Sequence, residues 1–210
     1  MVKAATTHKA KAPKEGIDDE LIVEGFGTRG ILRGARGLKK LIKSDVRFQT
    51  LYLDLPWSYD NKATRASTGN HYHTMSVDEI FQLPVGELAA KKAHLHLWTT
   101  NAFLFDCKQL LEAWDFDYKG IFVWTKPNFG IGNYWRVAHE VMVLGVRGNL
   151  PFQDHGQRSW QEFPRREHSR KPDEIRELIE QVSPGSRLEL FARKGAKNWV
   201  CWGDQVVEAK

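Results

Sequence analysis

Cysteine and long apolar runs are scarce in this sequence, and each scarcity excludes a class of protein. Only two cysteines, Cys107 and Cys201, occur among 210 residues. They form neither a disulfide framework nor a metal-binding pair, so we expect both to be core thiols. No run approaches the roughly 20 apolar residues of a membrane span, and the N-terminus lacks the hydrophobic region of a signal peptide. These absences predict a cytoplasmic protein that does not enter a membrane.

Size and hydrophobic content are those of one ordinary globular domain. Hydrophobic residues make up 41% of the chain, which suffices for a substantial core at this length. Residues 1–16 are rich in Lys, Ala, Thr and Pro and have no periodic apolar pattern, which predicts a disordered basic arm. Residues 17–210 are predicted to form a single domain.

Acidic residues are absent from a stretch that follows this arm. The chain carries a net charge of +5, and residues 25–44 contain no acid but six basic residues. Such a distribution suits a polyanion. At helical spacing four of these side chains would share one face that follows phosphates: Arg29, Arg33, Arg36 and Lys40. We therefore expect contacts with nucleic acid from Arg29, Arg33, Arg36, Lys39 and Lys40, and a solvated helix face is the alternative.

Three glycines in the same stretch imitate a dinucleotide-binding fingerprint. Gly25, Gly27 and Gly30 have the required spacing and follow an apolar run at 21–23. A lone match of this kind is weak, and the fingerprint needs the N-terminus of a helix after it. Further glycines at 34 and 37 oppose such a helix, so we expect no nicotinamide or flavin cofactor here.

Apolar runs and helical patterns alternate along the rest of the chain. Strands are predicted at 50–54, 94–99, 120–125, 140–146, 187–193 and 198–202. Helices are predicted at 76–82, 101–114 and 172–182, starting at a Ser76 and Glu79 capping box, an Asn101 cap and Pro172. This alternation predicts an α/β fold with a mostly parallel sheet. In such sheets the ligand lies beyond the carboxyl ends of the strands.

One predicted strand ends in the tetrapeptide Asp54-Leu55-Pro56-Trp57. It offers a carboxylate, a rigid turn with backbone carbonyls and a flat ring. The exocyclic amine of a nucleobase becomes nucleophilic only when acceptors hold its two hydrogens, because its lone pair is delocalised into the base. We expect Asp54 and the carbonyl of Leu55 to be these acceptors, and Trp57 to stack on the base. An ordinary strand-ending turn with Trp57 in the core is the alternative.

Blocks over most of the chain match one family in the same order. They are Leu-Asp-Leu-Pro-Trp at 53–57, His-Tyr-His-Thr-Met-Ser-Val-Asp-Glu-Ile at 71–80, Leu-His-Leu-Trp-Thr-Thr-Asn at 95–101, Val-Trp-Thr-Lys-Pro at 123–127, Gly-Asn-Tyr-Trp-Arg-Val-Ala-His-Glu-Val-Met-Val-Leu-Gly-Val-Arg-Gly at 132–148, His-Ser-Arg-Lys-Pro-Asp-Glu-Ile at 168–175, Ser-Pro-Gly-Ser-Arg-Leu-Glu-Leu-Phe-Ala-Arg at 183–193, Asn-Trp at 198–199 and Gly-Asp-Gln at 203–205. From Leu51 onward the sequence resembles the MT-A family of N6-adenine methyltransferases, the family of the catalytic subunit that writes N6-methyladenine in messenger RNA.

This resemblance covers about three quarters of the chain and leaves out the basic N-terminal segment at 17–45. It implies that 17–210 is a single methyltransferase domain. The implied fold is the Rossmann-like fold of S-adenosylmethionine-dependent methyltransferases, with helices on both faces of a central sheet.

The resemblance also assigns catalytic and substrate-binding positions. Asp54, Leu55, Pro56 and Trp57 match the Asp-Pro-Pro-Trp catalytic motif of the family, with Leu55 in place of the first proline. Leucine keeps the carbonyl but loses the fixed backbone dihedral, so the change costs preorganisation and no chemical group. Three more residues match positions around the substrate adenosine: Tyr72, Glu140 and Lys171. Glu140 and Lys171 also match positions near the cofactor, and a plain salt bridge between them is the alternative. The alternative for Tyr72 is an exposed loop aromatic.

The cofactor implied by the resemblance is S-adenosylmethionine. Its implied contacts are Asp54, Lys171, Arg193, Asn198, Asp204 and Gln205. The family usually has asparagine where Asp204 stands and a histidine near Gly195, so the contacts here differ in detail. Asp45 is the candidate for the acidic segment that the family has upstream of its catalytic strand.

Two histidines and two tryptophans invite other interpretations. His94 and His96 alternate on one face of a strand, but two ligands without a third predict packed or surface histidines and no metal site. Most tryptophans are expected in the core, whereas Trp135 or Trp160 is a candidate to stack on a flipped base or a single strand.

The function predicted is direct methyl transfer from S-adenosylmethionine to the N6 amine of adenine in DNA. DNA is preferred because the chain is short and carries no recognisable RNA-binding module, and an RNA N6-adenosine methyltransferase is the alternative. A second alternative is a noncatalytic nucleic-acid-binding subunit, degenerate at Leu55 and Asp204. A homodimer or a heterodimer with a related subunit stays open.

Overall fold

The computed structural model describes residues 20–24, 27–58, 74–130, 134–166 and 170–207, with side chains from Gly30 onward. The predicted arm at 1–16 and Tyr72 lie outside these ranges. Within them, no helix combines the length and the apolar character that crossing a membrane requires.

Strands and helices alternate through the described chain. The strands are β1 Glu20–Glu24, β2 Gly27–Leu32, β3 Phe48–Asp54, β4 Ala89–Thr99, β5 Asp117–Thr125, β6 His139–Arg147, β7 Trp160–Glu162, β8 Arg187–Leu190 and β9 Trp199–Trp202. The helices are α1 Gly34–Lys43, α2 Val77–Phe81, α3 Val85–Leu88, α4 Leu104–Ala113 and α5 Glu174–Val182. All six predicted strands are present, and the sequence patterns missed β1, β2 and β7.

In the described residues these strands form one sheet in the order β1-β2-β9-β8-β3-β4-β6-β5-β7. The pairs β2–β9, β9–β8, β8–β3, β3–β4 and β5–β7 are parallel, whereas β1–β2, β4–β6 and β6–β5 are antiparallel. The predicted α/β fold with a mostly parallel sheet is confirmed. The described parts of the basic segment, 20–24 and 27–45, belong to the same domain as this sheet, because β2 pairs with β9.

Both faces of the sheet are covered by helices. Side chains of α1, α2, α3 and α4 pack with Leu51 and Leu53 of β3, whereas α5 packs with the intervening Tyr52 on the other face. This alternation is the period of two expected of a strand that is buried on both sides. Cys107 and Cys201 are buried free thiols, as predicted.

Two of the three helix starts differ from prediction. The capping box is confirmed, since the Ser76 hydroxyl accepts from the backbone N–H of Glu79 and the Glu79 carboxylate accepts from the N–H of Ser76. The Asn101 cap is wrong, because Asn101 begins a 3-10 turn ahead of α4 and caps nothing. Helix α5 begins at Glu174, two residues after Pro172, whose carbonyl accepts from the N–H of Ile175.

The prediction that glycines oppose a helix after residue 30 is also wrong. Helix α1 begins at Gly34, which has a φ of +54°, and it contains the buried Gly37. A Cβ on Gly37 would lie 3.0 Å from backbone and side-chain atoms of Leu32, so this glycine allows the helix to pack closely on the end of β2. Packing therefore outweighs the low helix propensity of glycine.

Two glycines of the apparent dinucleotide fingerprint lie in the described residues, and neither occupies a turn between a strand and a helix. Gly27 and Gly30 lie within β2, which pairs with β1 as an antiparallel neighbour. The fingerprint requires its glycines in the turn between a strand and a helix. Arg29 is likewise a strand residue, so it does not share a helical face with Arg36 and Lys40, and that prediction is corrected.

Candidate active site

The tetrapeptide at 54–57 lies where β3 ends. Asp54 is the last residue of the strand, and the carbonyl of Leu55 accepts from the N–H of Trp57 at 3.0 Å. The carbonyl of Pro56 accepts from the N–H of Met75 at 2.8 Å, which joins the turn to the start of α2. The side chain of Leu55 is buried. These contacts hold the turn without a second proline and leave the Leu55 carbonyl one further lone pair.

Trp57 is a core residue, and the prediction that it stacks on a base is not supported. Its ring is 6% exposed and stacks on Phe103 with ring centroids 4.6 Å apart and an interplanar angle of 11°. Its indole N–H donates to the carbonyl of Trp98 at 3.4 Å. Trp57 therefore anchors the turn. It is buried because it packs on Phe103 and belongs to the hydrophobic core cluster that includes side chains of α4.

A lysine joins the two predicted carboxylates. Lys171 Nζ donates to Asp54 Oδ1 at 2.7 Å and lies 3.3 Å from Glu140 Oε2. Glu140 Oε1 accepts from Lys126 Nζ at 2.5 Å. Asp54, Glu140 and Lys171, which the sequence assigned to one site from three separate blocks, thus lie together.

The charges in this cluster stabilise one another. Burial alone would lower the pKa of Lys171, but the carboxylates of Asp54 and Glu140 outweigh it and raise that pKa above its ordinary value. Burial alone would raise the pKa of Glu140, but Lys171 and Lys126 lower it. At neutral pH Lys171 is therefore a cation and Glu140 an anion.

Strand order explains why these residues meet at one edge of the sheet. The carboxyl ends of the parallel strands β3, β4, β8 and β9 lie at this edge, which we call the catalytic edge. Because β6 runs antiparallel to β4, its first residues, including Glu140, lie at the same edge. The hairpin partner β5 ends there as well, at Thr125. Lys171 reaches the edge from the segment before α5.

A depression opens beside Asp54 at the catalytic edge. Its lining is rich in charge and consists of Tyr52, Asp54, Arg170, Lys171, Pro172, Asp173, Arg176, Glu189, Phe191, Arg193 and Lys194. Arg176 donates to both carboxylate oxygens of Glu189, at 2.6 and 3.0 Å, and to the carbonyl of Lys194 at 3.1 Å. This buried pair connects α5 to the segment that carries Arg193.

Comparison with known proteins matches this part of the chain to one family. The MT-A70 family model matches residues 48–205. The chain belongs to the MT-A70 family. The match begins at β3 and includes the whole catalytic edge described above, while β1, β2 and α1 lie ahead of it.

Three curated proteins are similar to this chain over most of its length. The type II methyltransferase M.MunI of Mycoplasma sp is 27% identical over 186 residues, which are 78% of this chain and 80% of that protein. The mouse N(6)-adenine-specific methyltransferase METTL4 is 26% identical over 192 residues, which are 81% of this chain and 40% of METTL4. The N6-methyladenosine RNA methyltransferase MTA1 of Pyricularia oryzae is 29% identical over 193 residues, covering 80% of this chain and 49% of MTA1. The chain therefore spans less than half the length of METTL4 and MTA1.

The positions predicted to contact the cofactor do not all lie together. Arg193 lines the depression. Asp204 and Gln205 are exposed residues that follow β9 at the catalytic edge. They lie two strands from β3 in the sheet order, about 10 Å away.

The prediction that Asn198 contacts the cofactor is corrected. It precedes β9, so it lies at the opposite edge of the sheet from Asp204, and its φ is +64°. Asparagine tolerates this left-handed conformation better than most residues. Its place in the chain is therefore explained by the turn into β9. The assignment of Asp45 to the cofactor site is corrected for the same reason. Asp45 is exposed and precedes β3 by three residues, so it lies at the opposite end of this strand from Asp54.

Several residues of the site had no sequence signal of their own. Lys126 lay in a matched block without an assigned role, yet it holds Glu140. Arg176 and Glu189 lie on a helix and a strand, and no local pattern predicts their pairing. Tyr52 was part of an ordinary apolar run, but its hydroxyl accepts from the indole N–H of Trp98 at 2.7 Å beside the depression.

The predicted nucleic-acid contacts divide into two groups. Arg33 is half-buried and donates through Nε and Nη2 to the carbonyl of Val206, at 3.1 and 2.9 Å, so it joins α1 to the segment after β9. Its assignment to phosphate is corrected to this structural role. Arg36, Lys39 and Lys40 are exposed on α1. Arg36 lies in the first turn, near the catalytic edge, because β2 is parallel to β9 and ends there.

Proposed function

We propose that this protein is an S-adenosylmethionine-dependent methyltransferase that acts on the N6 amine of adenine in DNA. The observation that carries the proposal is the Lys171 bridge between Asp54 and Glu140 at the end of β3, in a chain of the MT-A70 family. The names of METTL4 and MTA1 specify N6-adenine and N6-methyladenosine chemistry for those relatives.

The charged lining of the depression fits the proposed cofactor. S-adenosylmethionine carries an amino-acid zwitterion, ribose hydroxyls and an adenine, and when bound it supplies an electrophilic methyl group on a sulfonium. Asp54 suits its positive groups, Arg193 and Lys171 suit its carboxylate, and Asp204 and Gln205 suit hydroxyls or the adenine edge. Arg176 and Glu189 neutralise each other beneath the site, so they leave the charges of Asp54 and Lys171 to act on a ligand.

Asp54 is suited to hold the adenine amine. Its Oδ1 is held by Lys171, which fixes the carboxylate and leaves Oδ2 to accept one amine hydrogen. The second lone pair of the Leu55 carbonyl accepts the other hydrogen. Held in this way, the nitrogen lone pair is directed toward the methyl donor. The proton that leaves the nitrogen passes to solvent or to Asp54.

Glu140 and Lys126 act on Lys171 in this arrangement. Glu140 receives Lys171 on one oxygen and Lys126 on the other, so both of its oxygens have a cation. Lys171 is therefore confined between two carboxylates and cannot turn away from Asp54 without losing an ion pair. We assign Lys171 and Glu140 the role of positioning Asp54, in addition to contacts with the substrate adenosine and the cofactor.

DNA is the first choice of substrate and RNA is the alternative. The exposed cations of α1 suit the phosphates of either polymer. The RNA alternative is favoured by one relative, MTA1, whose name specifies RNA. DNA and RNA differ at the 2′-hydroxyl of the sugar. We have assigned none of the described residues to a contact with that hydroxyl, so the choice is left to the assay.

The test is transfer of labelled methyl from S-adenosylmethionine to duplex DNA, single-stranded DNA and RNA in parallel. We expect label as N6-methyladenine, greatest on DNA. Asp54→Ala should abolish transfer and leave cofactor binding measurable by calorimetry, whereas Asp45→Ala, an exposed acid at the other end of β3, should be as active as wild type.

Three outcomes separate the hypotheses. Greater label on RNA would select the RNA alternative. Tight nucleic-acid binding without label or cofactor binding would select the noncatalytic subunit. Transfer retained by Asp54→Ala would refute the catalytic assignment.

A further inference from the structure

The loop at 126–138, between β5 and β6, exposes its aromatic side chains to solvent. The exposed fractions are 66% for Phe129, 94% for Tyr134 and 87% for Trp135. Large aromatic side chains are normally buried, because each carries a large apolar area. Three exposed aromatic side chains on the described parts of one short loop are therefore a candidate binding surface. We call Phe129, Tyr134 and Trp135 the aromatic loop surface.

Backbone hydrogen bonds hold the described parts of the loop together. The N–H of Lys126 donates to the carbonyl of Ala138, and the N–H of Gly130 donates to the carbonyl of Val137, each at 2.7 Å. The two sides of the loop therefore continue the β5–β6 hairpin beyond the sheet. The aromatic loop surface is thus presented on a supported element.

The aromatic loop surface lies at the catalytic edge. Thr125 pairs with His139 where β5 ends and β6 begins, and Glu140 of the next pair belongs to the Lys171 cluster. From β3 to β5 the sheet order crosses β4 and β6, a distance of about 14 Å at the usual strand spacing. A short stretch of an extended single strand spans such a distance.

Charge near the loop favours an anion. The sequence from Lys126 to His139 contains no acidic residue. Arg136 is exposed in the loop, and the guanidinium of Arg165 lies beside Gly130, 3.1 Å from where a Cβ would stand. Glu140, the first acid after the loop, is neutralised by Lys126 and Lys171. A ligand with flat rings and a negative backbone fits both the aromatic and the charged character.

We propose that Tyr134 and Trp135, with Phe129 beside them, stack on unpaired bases that flank the target adenine. This inference rests on the proposed methyltransferase function and identifies its substrate as a nucleic acid that is single-stranded or locally opened at the site. Stacking accepts any base, because every base has a π-face. The loop therefore contributes affinity and strand preference without reading sequence.

The decisive variant is Trp135→Ala, measured by fluorescence anisotropy with a labelled single-stranded DNA of mixed sequence that contains adenines. Loss of one stacked base should weaken binding by roughly 5- to 150-fold. Trp135→Phe should restore most of the affinity, since it keeps an aromatic face. The matched control is Tyr118→Ala, which removes an exposed aromatic from the other end of β5 and should bind as wild type does.

Salt dependence distinguishes stacking from phosphate contact. Trp135→Ala should lower affinity equally at all salt concentrations, so the slope of log affinity against log salt stays that of wild type. Arg36→Ala should instead reduce that slope by about 1. In methyl-transfer assays Trp135→Ala should raise KM for single-stranded DNA and leave kcat and cofactor affinity unchanged.

Two results would overturn the inference. One is equal affinity of wild type and Trp135→Ala for single-stranded DNA. The other is a wild-type dimer in sedimentation velocity that Trp135→Ala dissociates, because the loop would then be a protein interface. Failure of the proposed function is recognised separately, by wild-type protein that binds DNA and transfers no methyl group.

Discussion

Acidification should destabilise this protein through a histidine in its core. His96 is 3% exposed, and its Nε2 lies 2.8 Å from the hydroxyl of Ser183. The same hydroxyl lies 2.8 Å from Nδ1 of His94, whose Nε2 faces the carbonyl of Leu150 at 3.1 Å. This arrangement confirms that the two histidines are packed side chains. Among the described residues, no anion lies where it would balance a charge on His96.

The size of the effect follows from the pKa of His96. Burial, aided by the neighbouring His94, lowers that pKa from 6.5 to about 3. As the pH falls through 6.5, His96 becomes protonated in the unfolded chain but stays neutral in the folded chain. The free energy of unfolding therefore decreases from about pH 6.5 toward pH 3. The loss is about 0.8 kcal/mol at pH 6 and about 2 kcal/mol at pH 5.

The assay compares wild type with His96→Gln in urea denaturation at pH 7.5 and pH 5.0. Glutamine is neutral at both values and can place an amide near Ser183. The difference in free energy of unfolding, wild type minus variant, should become smaller by about 2 kcal/mol at the lower pH. All other titrating groups cancel to first order in this comparison. If the two proteins lose stability in parallel, His96 does not resist protonation and the reasoning is refuted.

Two further substitutions test the site and the fold. Lys171→Met should reduce methyl transfer by about 100-fold or more, because it releases the carboxylate of Asp54 and removes a cation from the site; Lys171→Arg should recover part of the rate, and an initial rate close to wild type for Lys171→Met would contradict the positioning role. Gly37→Ala should lower the free energy of unfolding by up to about 2 kcal/mol, because overpacking against Leu32 exceeds the gain of about 1 kcal/mol in helix propensity. Thermal or urea denaturation measures this loss. Gly120→Ala is its control, since a Cβ there meets no atom within 4 Å, and equal losses in the two variants would exclude the packing explanation.

Features that depend on neighbouring residues were predictable from the sequence. The Ser76 and Glu79 capping box needs only a hydroxyl and a carboxylate three residues apart, and both hydrogen bonds are present. Strand β3 contains the apolar run at 50–53, and Asp54 ends it as predicted. Such local features can be predicted without knowing which distant segments pack against them.

Predictions failed where a distant partner outweighed the local preference. Gly37 lies in a helix despite its low helix propensity, because a side chain at this position would crowd Leu32 at the end of β2. Trp57 is buried because Phe103 and α4 cover it, although the motif alone left base stacking open. Arg33 donates to Val206, 173 residues away in the chain, so it is no longer equivalent to Arg36.

The sequence by itself determined the family resemblance, the α/β alternation and the residue types at the end of β3. The tertiary structure decided which of those residues meet. Lys171 reaches Asp54 across 117 residues, from the segment ahead of α5. Glu140 joins them because β3 and β4 are parallel neighbours and β6 runs back beside β4. Strand order likewise separates Asn198 from Asp204 and brings the loop at 126–138 to the catalytic edge. Contacts of this kind depend on which strands become neighbours, and no local pattern of side chains specifies that order.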